Sequence, residues 1–178
     1  MKNKNRSKKS ILCVAALTAL FLASCGKKED ESALLLGKNL DVFTSNINLL
    51  SVSINSLDPS NADSSKKLLT YIDSMEKSFN ELASLPAPET YPDTRLYTEP
   101  AALYMSAAAA ELHEVYGSAE YDEALSGSAM EKYYYAFECL DALGNYLEGQ
   151  PVSLSEAPSL SSNTISSDSV SSDSVSSD

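Results

Sequence analysis

The feature that most constrains the fold is a series of apolar residues spaced 4-3-4-3-4-3. Leu36, Leu40, Phe43, Ile47, Leu50, Ile54 and Leu57 follow this spacing. An α-helix turns once every 3.6 residues, so these side chains form one stripe on a helix of about seven turns. Asn39, Ser45, Asn46, Asn48 and Ser51 fill the positions between. Asp58-Pro59 closes the helix, because a residue before proline avoids helical angles.

The same spacing recurs. Leu68, Ile72, Met75, Phe79 and Leu82 mark a second helix, with Ser60 or Asn61 as its cap and Pro86 and Pro88 as its stop. A third helix is predicted from near Thr98, with Pro100 in its first turn, where a missing N–H costs nothing. Its inner face is Ala101, Tyr104, Ala108, Leu112 and Val115, and Gly117-Ser118 ends it. The fourth starts near Asp122, or at Ser128, which has capping-box spacing to Glu131. Its stripe is Tyr133, Ala136, Leu140, Leu143 and Leu147.

No run alternates with a period of two, so no sheet is expected. The prediction is an all-α protein with an antiparallel four-helix bundle over residues 33–148. A three-helix bundle with 119–126 as an irregular connection is the alternative. From 149 to 178 the composition turns to Ser and Asp, and one pentad repeats, as in Ser169-Val-Ser-Ser-Asp and Ser174-Val-Ser-Ser-Asp. Such a segment has too little apolar surface to fold and is expected to be a disordered tail.

The N-terminal segment has a different character. Lys2, Lys4, Arg6, Lys8 and Lys9 make a basic start, and Ile11 to Leu22 is apolar apart from Thr18. This run is short for a membrane span. Leu22-Ala23-Ser24-Cys25 follows. The arrangement resembles the signal and lipobox of bacterial lipoprotein precursors. The resemblance implies removal of residues 1–24, acylation of Cys25, a lipidated tether over 25–32 and a place on the extracytoplasmic face of the cell membrane. Two or more acyl chains hold a protein on a bilayer stably.

Charge narrows the classes of partner. The chain carries a formal charge of −12, and all five basic residues of the first 24 lie in the proposed signal. The remainder has eight basic against twenty-five acidic residues. That balance argues against nucleic acid, which needs a basic footprint. It also argues against the folded part lying flat on anionic lipid.

Little in the sequence carries catalytic chemistry. Cys13 lies in the signal and Cys25 at the lipobox, which leaves Cys139 as a small apolar residue on a helix. His113 is the only histidine, so no site needing two can form. Glu111 and Glu114 share a helix face and read as a solvated acidic surface, as do Glu120, Asp122 and Glu123. No metal, catalytic site or cofactor is expected. No glycine-rich phosphate loop is present.

Tyrosine is the unusual component, with ten residues against four Phe and no Trp. Tyr133-Tyr134-Tyr135 spans more than half a helix turn, so these three cannot all face the core. Tyrosine suits recognition surfaces because it offers contact area at low entropy cost. The three are therefore the candidate partner surface, on the face shared by the third and fourth helices. The functional expectation is a non-enzymatic interaction module whose partner is an envelope protein or small ligand. The alternative is a small-ligand or metal-binding accessory lipoprotein for transport or envelope sensing.

Overall fold

The computed structural model describes residues 30–58, 60–61 and 63–160. Residues 1–29, which hold the expected signal and Cys25, and residues 161–178 lie outside these. Four helices account for most of the described chain: α1 (Glu31–Asn55), α2 (Ser64–Ala83), α3 (Arg95–Gly117) and α4 (Glu123–Leu147). A 3-10 turn at Pro92–Thr94 leads into α3. Among the described residues there is no strand, and no helix is long and apolar enough to cross a membrane. The fold is an all-α helical bundle of four helices, so the three-helix alternative is set aside.

Side-chain caps fix two of the four starts. Asp30 accepts the N–H groups of Ser32 and Ala33 at the head of α1. Asp122 accepts the Leu125 N–H at 2.9 Å and starts α4, which places Ser128 inside the helix. The start of α2 departs from expectation. Asp63 occupies the cap position, while Ser60 and Asn61 build the preceding turn on Asp58 and Asp63. The third helix also begins earlier than expected. The Pro92–Thr94 turn feeds directly into Arg95, and Arg95 pairs with Glu99 one turn on. Pro100 therefore sits inside α3 and cannot donate to the Leu96 carbonyl.

The four stripes meet in one core. Leu36, Leu40, Phe43 and Ile47 of α1 are buried with Ile72, Met75, Phe79 and Leu82 of α2. Phe79 packs edge-to-face on Phe43 at 5.1 Å and on Phe137 at 5.3 Å, so one ring joins α1, α2 and α4. The most extensive packing is between α3 and α4. Small residues permit it: Ala101, Ala102 and Ala109 of α3 and Ala129 and Ala136 of α4 are all buried.

One end of the bundle is tied by the connection between α2 and α3. The Thr90 N–H and hydroxyl both donate to Asp30, at the start of α1. The Asp93 N–H donates to the Tyr146 hydroxyl on α4, and Tyr97 stacks on Tyr146 at 5.4 Å. The first turns of α1 and α3 and the last turn of α4 thus share one end, as antiparallel packing requires.

Helix α1 carries a second apolar line that the spacing analysis did not bring out. Leu35, Val42 and Leu49, seven residues apart, and Val52 are all exposed.

Candidate interaction surface

The tyrosine run divides between core and solvent. Tyr134 is 62% exposed and Tyr135 only 9%. Tyr133 is half-buried, with its ring against Phe137 at 4.9 Å and its hydroxyl directed at the Met75 sulfur at 3.9 Å. Burial pushes the Tyr133 phenol up to about 12. Tyr135 meets Tyr104 of α3 edge-on at 4.6 Å, and desolvation raises its phenol as well. Of the three candidate tyrosines, Tyr134 is exposed and Tyr133 lies at the edge, while Tyr135 faces the core. The helical turn of 100° per residue carries Tyr135 inward as Tyr134 points out.

The face shared by α3 and α4 nevertheless holds an occupant. Residues 151–160 have no regular structure, yet they double back along α4. The Ser155 N–H and hydroxyl both donate to the Glu138 carboxylate, the hydroxyl at 2.7 Å. The Tyr104 hydroxyl donates to the Pro158 carbonyl at 3.0 Å. The tail expected from residue 149 is therefore attached to the bundle through residue 158. Serine and proline content gave no hint of this, because Ser155 and Pro158 pair with residues far away in the sequence.

Acidic groups cluster beside this strap. Glu138 and Asp141 lie one turn apart on α4. Desolvation, followed by the Glu138 charge, pushes Asp141 up to about 6. Cys139 is fully buried between them in sequence, and burial raises its thiol to about 11. A thiol held that far above neutrality is protonated and unreactive.

The remaining residues singled out in the sequence are separated. His113 Nε2 lies 2.5 Å from Asp73 Oδ1 on α2, at the exposed edge between the helices. Glu114 faces solvent as expected, but Glu111 does not. It is buried, and its two carboxylate oxygens accept from Lys132 Nζ at 2.9 and 3.0 Å. The solvated-face reading is corrected here: Lys132 approaches from α4 and closes over Glu111. Among the described residues, no group of three His, Cys, Asp or Glu side chains could hold a metal ion. Two depressions along α2, one lined by Asp73, Glu76, Lys77, Asn80, Glu81 and Ser84, are shallow and open to solvent.

No family model, characterised protein or solved structure matches this chain.

Proposed function

We propose that the protein is a bacterial lipoprotein anchored on the extracytoplasmic face of the cell membrane through Cys25. There it serves as a non-enzymatic helical interaction module. The observation that carries the anchor is Leu22-Ala23-Ser24-Cys25 behind a basic and apolar leader. The capped start of α1 at Asp30 lies five residues after Cys25 in the sequence. Five residues span at most about 18 Å, which keeps the Asp30 end of the bundle near the bilayer. The interaction role is supported by exposed Tyr134 on α4 and by the exposed Leu35, Val42, Leu49 and Val52 line on α1. Exposed aromatic and aliphatic side chains in such arrays mark contact surfaces.

Fractionation tests the anchor. Wild type is expected in the membrane fraction and to incorporate labelled fatty acid. Cys25→Ser is expected to accumulate as unprocessed precursor or to be released. Unchanged processing and attachment in that variant would overturn the lipoprotein reading. Cross-linking in the native envelope tests the module. A protein recovered with wild type and lost with Tyr134→Ser supports it, and equal recovery with both removes Tyr134 from the contact.

A further inference from the structure

Helix α1 is the least enclosed element of the bundle. Its main neighbour is α2, and the seams of α2 with α3 and of α3 with α4 are more extensive. The outward positions of α1 recur at helical spacing, and Leu34, Leu35, Val42, Leu49 and Val52 all fall on them. Leu49 is 65% exposed and Val52 68%. Among the described residues, α2 exposes no large apolar side chain. Single exposed apolar residues are ordinary, but five on one helix face form a patch.

Charge singles out the same face. From Val42 to Leu57 no residue is charged, and the charged residues of α1, Glu31, Lys38 and Asp41, lie in its first half. By contrast α3 and α4 carry seven acids against Arg95 and Lys132. Net charge opposes adsorption of the whole bundle to anionic lipid, but the acids are not spread evenly. At physiological salt a charge is screened over about 8 Å, less than the roughly 10 Å width of a helix. A surface touching α1 from outside therefore meets little of the charge on α3 and α4.

We infer that this outer face of α1 rests on the lipid bilayer, with the helix axis lying along the membrane plane. The inference rests on the anchor proposed at Cys25. That cysteine is five residues ahead of Asp30, so α1 is the first element the tether brings to the bilayer. At 1.5 Å per residue, Val52 lies about 30 Å along the helix from Glu31. A bundle standing on its Asp30 end holds Leu49 and Val52 in water. A bundle lying on α1 sets the whole line at the boundary of headgroups and acyl chains, where the apolar face of an amphipathic helix is stable. The tether makes this contact effectively intramolecular, so a modest patch suffices to orient the bundle.

The test uses the full chain, expressed in bacteria and reconstituted in vesicles of phosphatidylcholine and phosphatidylglycerol. Cys139 is fully buried, so an introduced surface thiol takes a fluorescent label selectively. Val52→Cys puts the label on the outer face of α1, and Leu103→Cys puts it on an exposed position of α3 as the reference. Spin-labelled lipids quench a fluorophore that touches the bilayer. The label at 52 is expected to be quenched and the label at 103 to be spared. Adding Val42→Ser/Leu49→Ser to the Val52→Cys chain is expected to abolish the quenching while the protein still floats with the vesicles. Both serines replace exposed side chains, and circular dichroism checks that the helices are retained. In floated protein, quenching at 52 no greater than at 103, or undiminished by the serine pair, overturns the seat and leaves the anchor standing. A label at 52 shielded from water but unquenched by lipid also overturns it, and puts a second copy or another protein on α1. If the labelled chains do not float with the vesicles, the anchor fails and the seat falls with it.

Discussion

Lys132 of α4 donates to both carboxylate oxygens of Glu111 on α3, at 2.9 and 3.0 Å, and to the Ser128 hydroxyl at 2.6 Å. The lysine is 2% exposed. Three donors on the ammonium thus have three acceptors, which is what an ion taken out of water requires. Such a pair adds little net stability over an apolar substitute, but removing one partner is expensive. Lys132→Met is expected to lower the unfolding free energy by about 3–5 kcal/mol. The double variant Lys132→Met/Glu111→Leu is expected to recover most of that loss. Denaturant titration of the two variants measures both effects, and a double variant as unstable as the single one would show that the charge is not the cause.

Thr44 on α1 presents the opposite case. Its hydroxyl is buried and has no hydrogen-bond partner among the described residues. Desolvation without compensation is unfavourable, so Thr44→Val, of the same shape, is expected to stabilise by about 1 kcal/mol. A rise in the melting temperature is the result to look for.

The ring of Phe79 touches aromatic partners on two other helices. Its truncation leaves a void that three helices cannot all close. Phe79→Ala is expected to cost about 3–5 kcal/mol, measured by the shift in denaturation midpoint.

Asp141 imposes a pH dependence of definite sign. Its carboxyl titrates at about 6 in the fold, against 3.8 for the free group. Between those values the folded protein binds the extra proton, so this group contributes stability as pH falls from 7 towards 4. Asp141→Asn removes the penalty of the ionised form. It is expected to raise stability at pH 7 by about 1 kcal/mol or less, given the group's partial exposure, and to change nothing near pH 4.

Cys139 provides a probe of opening. With its thiol near 11 and its surface fully buried, it is expected to resist a thiol reagent at pH 8 in the native state. Fast labelling without denaturant would mean that α4 opens readily.

The helices were legible because their stripes depend only on local spacing. Leu36, Phe43, Phe79, Leu112 and Leu140 are all buried where periodicity placed them. Lys132 was not legible, since a lysine reads as solvent-facing until a carboxylate from another helix is known to meet it. The strap escaped for a similar reason. Ser155 and Pro158 find partners 17 and 54 residues away in sequence, and no local pattern encodes such a pairing. Position within the helix also misled at Pro100, where the preceding Pro92–Thr94 turn extended α3 by three residues.

Asp30 serves two neighbours with one carboxylate. One oxygen caps α1 through Ser32 and Ala33, and the other accepts both donors of Thr90. These bonds, the Thr90 hydroxyl first, hold its carboxyl below the usual aspartate range. Their contribution is present above pH 3.8 and fades as acid titrates the folded carboxylate. The first turn of α1 and the connection between α2 and α3 therefore share one acceptor group. Protonation of that carboxylate weakens bonds to both at once, and the Asp93–Tyr146 bond remains to hold the connection to α4.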